Sequence, residues 1–281
     1  MSVTNFIPTI WSAKLLETLD KAHVYGNLVN RDYEGEIKNA GDKVRINTIG
    51  PVSIGDYTSN SDMLDPEELS GTQQELVIDQ AKYFNFQIDD IDNAQTNPKL
   101  LESGVERAGY GLADVSDRFI AGLYTGVAAS NIIGSDASPI VATKADAYDY
   151  LVDLGVMLDE ANVPSVGRWV VIPAFYHGLI QKDERFIGTG SANSDVIKRT
   201  GFIGEVNGFS VYKSNNVPNT AGANYKIMAG YNGAISFAEQ ILKTEAYRME
   251  KRFADAVKGL HVYGAKLTRP DGIAVLTVNK A

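Results

Sequence analysis

Alternating apolar and polar residues predict long strands in the first third of the chain. Within residues 42–50, Val44 and Ile46 alternate with polar neighbours, which is the pattern of a half-buried strand. A second alternation covers residues 72–90, and a shift of its phase is expected near Ala81. Because a polar stretch rich in turn residues separates the two, they predict a long hairpin with an exposed tip.

A repeat of apolar residues every three or four positions predicts one long helix over residues 97–129. Asn97 or Thr96 can cap its first turn, and Pro98 suits its first helical position. At about 1.5 Å per residue such a helix would span roughly 50 Å, so it should cross the whole subunit. Its glycines would each cost roughly 1 kcal/mol relative to alanine, and close approach of another backbone would offset that cost.

The middle of the chain, residues 131–230, predicts an α/β module. Residues 143–146 resemble a capping box ahead of an amphipathic helix. Residues 169–173 (WVVIP) predict a buried strand, which a short helix follows. Asn207 and Gly208 lie between apolar runs, and this dipeptide is the strongest short-range signal for a tight hairpin.

The two ends of the chain are predicted to behave differently. Trp11 belongs to a short helical stripe of apolar residues within residues 1–30. This segment is expected either to cover another surface as an arm or to fold back on its own core. Near the C-terminus, residues 259–268 alternate, an RPDG turn follows, and residues 273–278 are apolar. This order predicts a terminal hairpin.

The composition supports a folded protein with a sizeable core, since 44% of its 281 residues are hydrophobic and 22% are charged. The net charge of -9 argues against a dedicated nucleic-acid binder, which usually presents a basic face. It suits solubility alone, or a protein that lies near nucleic acid without adhering to it. The absence of cysteine excludes disulfides and thiolate chemistry. No signal peptide or run of ~20 apolar residues occurs, so synthesis inside the cell is the default expectation.

Signals of catalysis are weak. The three histidines match no metal-ligand spacing, and each is expected to be structural: His23, His177 and His261. Asp89, Asp90 and Asp92 resemble the start of an EF-hand loop, but the glycine and glutamate that complete it are absent. No phosphate loop or serine-hydrolase motif occurs. An acidic metal-dependent hydrolase using the three aspartates stays open as an alternative, and no cofactor or metal site is predicted.

Four stretches are similar to the coat sequences of tailed bacteriophages, and the likeness extends over nearly the whole chain. They are NRDYEGEIKNAGDKVRINTIG (30–50), IDQAKYFNFQIDDID (78–92), GFSVYKSNN (208–216) and EAYRMEKRFADAVKGLHVYGAKLTRPDGIAVL (245–276). The chain therefore resembles the major capsid proteins with the Hong Kong 97-type fold.

This resemblance implies an α+β fold and a structural protein, not an enzyme. The implied parts are an N-terminal arm (1–30), an extended loop or E-loop (42–90), a peripheral domain (91–130 and 231–281) that includes the spine helix (97–129), and an axial domain (131–230). The protein would self-assemble into hexamers and pentamers of an icosahedral head shell around double-stranded DNA. A tail or decoration protein of a phage is the alternative within the same class.

The expected partners follow from the same resemblance. They are other copies of this chain, a portal, a decoration protein and, because the arm begins almost at Met1, a separate scaffolding protein unless the chain is the mature form. The DNA would be enclosed without sequence-specific binding, in a virion that is assembled in the bacterial cytoplasm without a membrane. An isopeptide cross-link, which some relatives use, is not expected because residues 50–81 contain no lysine.

Local charge suggests which residues make the assembly contacts. Residues 50–81 carry seven acids and no lysine or arginine, whereas residues 245–270 carry six basic residues against three acids. The acids are either a solvated face or a docking arm for a basic surface. The second interpretation predicts contacts between the acids of one copy and the bases of the next: Asp62, Asp65, Glu67 and Glu68 against Arg248, Lys251 and Arg252. Trp11 is expected to add an apolar contact from the arm.

Overall fold

The computed structural model describes residues 15, 23–34, 41–49, 52–57, 59, 62, 65, 71–89, 100–183 and 204–280. Its strands are β1 (Lys43–Ile49), β2 (Gly71–Val77), β3 (Gln80–Asp89), β4 (Ile132–Ile133), β5 (Arg168–Ile172), β6 (Glu205–Val206), β7 (Phe209–Lys213), β8 (Asn219–Thr220), β9 (Asn224–Tyr231), β10 (Ile235–Arg248), β11 (Ala254–Leu267) and β12 (Ile273–Asn279). Its α-helices are α1 (Leu100–Ala121), α2 (Ala147–Glu160) and α3 (Ala174–Gln181). The strands form a seven-stranded sheet, a three-stranded sheet and a two-stranded hairpin.

The larger sheet has the strand order β4-β12-β9-β5-β7-β6, with β8 alongside β9. Every residue of β5 is buried, because both faces of the sheet are covered. Trp169 and Val171 pack into the core on one face, whereas Val170 and Ile172 pack against α2 and α3 on the other. A strand that is buried on both faces has a continuous hydrophobic sequence, and the prediction of a buried strand at residues 169–173 is confirmed.

The predicted capping box is present in part, and the predicted tight hairpin is confirmed. Asp146, directly before α2, accepts a hydrogen bond from the backbone nitrogen of Thr143, whereas the Thr143 hydroxyl accepts from the backbone nitrogen of Ala145 and not from that of Asp146. β6 and β7 pair across a tight turn in which Asn207 and Gly208 have φ angles of 48° and 76°. Positive φ at both central residues is the type I′ geometry that this dipeptide favours.

The predicted terminal hairpin is wrong. β11 pairs with β10 and β3, whereas β12 pairs with β9 and β4 in the larger sheet. A 3₁₀ turn at Pro270–Gly272 carries the chain from one sheet to the other. Alternation and turn residues identify the two strands, but they do not specify partners that lie far away in sequence. As a result, β12 lies in the sheet built mainly from residues 131–230, although the resemblance implies that it belongs to the peripheral domain.

The smaller sheet has the strand order β10-β11-β3 and carries α1 on one face. Phe84 of β3 packs against Leu112 and Ala113 of α1. A Cβ atom added to Gly104 would lie 2.9 Å from the ring of Phe86. The helix therefore lies close to β3 at Gly104, but the close neighbour is a side chain and not the predicted backbone, and Gly111 and Gly122 have no atom within 4 Å of such a Cβ position.

The spine helix is shorter than the predicted range 97–129. α1 ends at Ala121, and the chain continues as a 3₁₀ helix at Gly122–Gly126. The 22 residues of α1 span about 33 Å at 1.5 Å per residue, and the residues predicted to cap its start lie outside the described residues. The apolar repeat extends past the end of the helix because Leu123 and Val127 also pack against the core.

Within the predicted extended loop, β1 and β2 form an antiparallel pair, from Lys43 opposite Val77 to Ile49 opposite Gly71. The base of this hairpin covers part of the sheet face that lies opposite α1. The buried residues there are Val44, Ile46, Leu76 and Ile78 of the hairpin and Ala238 and Val262 of the sheet. The single strand predicted over residues 72–90 is in fact two strands, because β2 pairs with β1 whereas β3 pairs with β11.

The segment of residues 23–34 belongs to the body of the subunit. Tyr25 is fully buried, and its ring packs edge-on against Trp169 at a centroid distance of 6.3 Å. Backbone hydrogen bonds tie Asn30 to two residues of β10. Of the two alternatives for residues 1–30, the structure shows the second for residues 23–30, which fold back on their own core, and the arm stays a prediction for the residues before them. Trp11 lies outside the described residues.

Candidate assembly surfaces

The loop between β1 and β2 presents apolar and acidic side chains to solvent together. Ile54 is 97% exposed and Tyr57 is 75% exposed, and Asp56 between them is also exposed. Asp62 and Asp65 are exposed further along, and neither forms an ion pair among the described residues. Full burial of an isoleucine side chain contributes about 1.5–3 kcal/mol of stabilisation. A second surface that covered Ile54 would therefore add stabilisation that the isolated subunit lacks.

The tip of the β10–β11 hairpin is the basic counterpart of this loop. Pairing of the two strands extends to Arg248 opposite Asp255, where Arg248 Nη1 donates to a carboxylate oxygen of Asp255 at 3.1 Å. Lys251 and Arg252 lie exposed in the turn, next to Phe253, which is 81% exposed. The tip thus offers two cations beside an aromatic ring, a combination that suits an acidic and apolar partner.

The structure does not bring the two predicted sets of contact residues together within one chain. Asp62 and Asp65 lie on the loop beyond β1 and β2, whereas Lys251 and Arg252 lie at the tip of a different hairpin. Glu67, Glu68 and Trp11 lie outside the described residues. Contact between the acids and the bases would need a second copy of the chain, and the pairing stays a prediction.

A buried polar network fastens the N-terminal segment to α1. The carboxylate of Asp117 accepts hydrogen bonds from the backbone nitrogens of Val24 at 2.7 Å and Gly26 at 3.0 Å. Beside it, His23 Nε2 lies 2.8 Å from the Ser116 hydroxyl oxygen. Burial raises the pKa of the Asp117 carboxyl, and the two backbone hydrogen bonds act against that shift. The network thus joins two segments that are about 90 residues apart in sequence.

Glu239 of β10 lies at the centre of the same network. It accepts a hydrogen bond from Arg31 Nη2 at 2.6 Å, and His261 Nε2 and His23 Nδ1 lie 3.0 Å and 3.4 Å from its two oxygens. Burial raises the pKa of Glu239, but the hydrogen bond from His261 and the nearby charges outweigh burial and lower it overall. Burial lowers the pKa of His23. The network holds the N-terminal segment, α1, β10 and β11 together.

Sequence reasoning missed both this network and the exposed apolar side chains. His23, Ser116 and Glu239 come from three separate segments, so no local pattern identifies them as neighbours. A signal did exist for the loop, since Ile54 and Tyr57 are large side chains in a stretch that is otherwise polar and acidic. Large apolar residues in a polar loop indicate either local folding or a partner, and the exposure of these two favours a partner.

The described part of the chain contains no group of three or more His, Asp or Glu side chains that could hold a metal ion. Asp89 ends β3, while Asp90 and Asp92 lie outside the described residues. Within the same part of the chain, no helix is long and apolar enough to cross a membrane.

Comparison with known proteins identifies the kind of protein that has this fold. A family model described as phage capsid protein matches residues 72–276. A structure from Mycobacterium phage Che8 is 30% identical, with a TM-score of 0.74 and coverage of 90% of both chains. The capsid of Cyanophage P-SCSP1u is 16% identical (TM-score 0.72, covering 92% of this chain and 89% of that one). A virus-like particle from Pyrococcus furiosus is 13% identical (TM-score 0.60, covering 95% and 97%). No curated protein matches the chain.

The chain belongs to the phage capsid protein family. The match begins in β2 and ends in β12, so it includes α1 and both sheets. The protein is therefore a structural component of a phage virion and not an enzyme, and the alternative of an acidic hydrolase is wrong. The predicted α+β major capsid fold of the Hong Kong 97 type is confirmed. As a capsid protein, the chain functions in assembly with copies of itself.

Proposed function

We propose that this chain is the major head-shell subunit of a tailed phage and assembles as hexamers and pentamers into an icosahedral shell. The shell would enclose double-stranded DNA, with a scaffolding protein, a portal and a decoration protein as partners. The observation that supports this proposal most is the loop around Ile54, Asp62 and Asp65, which no part of the described chain covers.

Rings of identical subunits close through heterologous contacts, in which different surfaces of two copies meet. This subunit offers two such surfaces on separate hairpins, the acidic loop and the basic tip. Obligate interfaces typically bury more than about 2,000 Å², and projecting segments reach that area more easily than a compact body does. Once neighbours are in place, individually weak contacts act together.

The charge balance supports the enclosure of DNA without tight binding. The net charge of -9 disfavours general adhesion to phosphates. The cations of the hairpin tip are few and lie beside acids, since Arg248 pairs with Asp255. We assign this tip to contact with another subunit and not to contact with DNA.

Charge reversal tests the contact between the loop and the tip. The double change Lys251→Glu and Arg252→Glu should prevent shell formation, as measured by electron microscopy and size-exclusion chromatography. The melting temperature of the free subunit should stay the same, because both side chains are exposed. Adding Asp62→Lys and Asp65→Lys to the same chain should partly restore shells.

A matched control makes the same change of charge elsewhere on the subunit. Lys182, directly after α3, and Lys213, at the end of β7, are both exposed. Changing both to Glu should affect shell formation much less. Normal shells from the tip variant would rule out the charge pairing. The coat function itself would be contradicted if the unaltered chain formed neither shells nor capsomers in a phage-infected host.

A further inference from the structure

Strand β3 forms one edge of the smaller sheet, and its outer side is open. All ten residues of β3 lie opposite residues of β11 in an uninterrupted register, and within the described residues no strand pairs with the other side of β3. The strand contains no proline and no bulge, two features that often protect such an edge. Its outer side therefore presents backbone N–H and C=O groups with which an extended segment of another chain can pair.

A groove of about 700 Å³ lies between this open edge and the N-terminal half of α1. We call it the edge groove, and it is defined by Phe84, Phe86, Ile88, Gly104, Arg107 and Ala108. Asn85 and Gln87 also line the groove, although side chains at successive positions of a strand project to opposite faces. The groove therefore reaches the backbone of β3 at its open edge.

The shape of the edge groove suits the side chains of an added strand. Phe84, Phe86 and Ile88 occupy alternate positions on the face toward α1, and each is only half-buried. The rings of the two phenylalanines are stacked, with their centres 6.1 Å apart. Gly104 and Ala108 are four positions apart and so lie on one side of α1, where their small size leaves space. An extended segment can place every second side chain against this apolar lining.

Charge defines the partner further. Among the described residues that line the edge groove, Arg107 is the only charged one, and its side chain is exposed. A guanidinium presents several N–H donors in one plane, which suits the two oxygens of a carboxylate. A segment that is apolar at alternate positions and acidic between them would therefore match both the lining and the charge of the groove.

We propose that the edge groove binds an extended acidic segment of a second protein, which adds a strand to β3 and sets a carboxylate against Arg107. This inference rests on the proposed function, in which scaffolding, portal and decoration proteins are the partners of the shell, and it names the chemistry by which one of them binds. A neighbouring copy fits less well. Its exposed residues 52–57 alternate in part, but Gly55 weakens them as a strand, and their loop is already assigned to the basic tip.

A tethered peptide tests the groove on free subunits. The chain has no cysteine, so Ser103→Cys places a single thiol at an exposed residue of α1 that lines the groove. The probe is a peptide about as long as β3, with valine at alternate positions, glutamate and threonine between them, and a terminal cysteine. In a thiol–disulfide buffer, the fraction of subunits that carry the probe measures how well the groove holds it, even when binding is weak.

The equilibrium constant for this mixed disulfide should exceed that of Val166→Cys by about tenfold, since Val166 is 84% exposed on the loop between α2 and β5 and lies outside the groove. A probe with proline in place of each threonine lacks backbone donors and should lose this preference. Arg107→Glu should favour a probe with lysine in place of glutamate. Arg118→Glu, farther along α1 with 66% of its side chain exposed, is the matched control and should leave the original preference unchanged.

Equal constants at Ser103 and Val166, or a proline probe that binds as well as the original, would overturn the addition of a strand. In shells assembled from this chain alone, the thiol of Ser103→Cys should react with a maleimide as fast as in free subunits. Protection there would show that a second copy fills the groove and would overturn the choice of a separate partner. Because the peptide test uses free subunits, it can fail while shells form, and shell formation can fail while the peptide binds.

Discussion

The two sheets of this subunit bury their side chains in different ways. The larger sheet is covered on both faces, so that every residue of β5 is buried. The smaller sheet is covered by α1 on one face and only partly by a hairpin base on the other. Beyond that base, Tyr83 is 79% exposed and Phe253 is 81% exposed. In the loop between β1 and β2, Ile54 is 97% exposed.

This difference separates what holds the subunit together from what joins it to its neighbours. The apolar side chains of the larger sheet are buried within one chain, as they are in an independently stable core. The smaller sheet and its two hairpins leave apolar and charged groups for another copy to cover. Changes in the core of the larger sheet should therefore act on folding, whereas changes at the uncovered side chains of the smaller sheet and its hairpins should act on assembly.

The largest effect is expected from emptying the core of the larger sheet. Trp169→Ala removes a side chain that is 1% exposed and packs against Tyr25. Its loss should lower the free energy of unfolding by about 3–5 kcal/mol, as measured by chemical denaturation of the free subunit. Ile54→Ala should leave that free energy within about 0.5 kcal/mol and yet reduce the yield of shells.

The neighbouring change Val166→Ala is the control for Trp169, because Val166 is 84% exposed near the start of the same strand. It should have little effect on unfolding. A clear loss of subunit stability in the Ile54→Ala variant would contradict the comparison, because it would show that the loop belongs to the core of its own chain.

A second change tests whether the smaller sheet depends on its buried network. Glu239→Gln removes the buried charge that Arg31 and His261 contact, while Arg31 keeps its ion pair with Glu34 at 2.6 Å. The free energy of unfolding should fall by about 1–3 kcal/mol, because buried hydrogen-bonding groups lose a charged partner. Glu75→Gln, which changes an exposed acid paired with Lys43 at 2.9 Å, is the matched control and should change little.

Acid should weaken this network through His23, with a smaller effect. Burial lowers the pKa of His23 from its ordinary value of 6.5, so the unfolded chain takes up the proton first as the pH falls. The stabilisation is full above about pH 6.5 and is lost as the pH falls through the folded pKa. Glu239, whose pKa is also lowered, adds a loss in more acidic solution, whereas Asp117, whose pKa is raised, acts in the opposite direction.

The measurement is the free energy of unfolding near pH 7.5 and near pH 5.5, before and after His23→Gln. The decrease on acidification should be smaller in the variant, because the titrating ring is gone. His177→Gln is the comparison outside the network: burial also lowers the pKa of His177, but this ring is only partly buried, so its removal should reduce the decrease less. An unchanged pH dependence in the His23→Gln variant would contradict this account of the network.

Local patterns in the sequence identified most of the elements but not their partners. Alternation predicted β1, a continuous apolar run predicted β5, and Asn207 with Gly208 predicted the β6–β7 turn, because each of these signals acts over a few positions. The same alternation also predicted one strand over residues 72–90 and a terminal hairpin. Both predictions were wrong because neighbours distant in sequence decide which strand pairs with which. The predicted length of the spine helix was wrong for a related reason, since Leu123 packs against the core from a 3₁₀ turn and continues the apolar repeat past the end of α1.

The sequence by itself determined the class of this protein, its acidic loop and its lack of catalytic motifs. Composition, charge and the coat-like stretches act through residue identity, which needs no coordinates. Only the tertiary structure decided which residues are covered. It buried His23 with Glu239 from separate segments and left Ile54 and Tyr83 open to solvent. Burial depends on what packs against a residue in three dimensions, so only the tertiary structure distinguishes the side chains that are covered from those that are left for assembly.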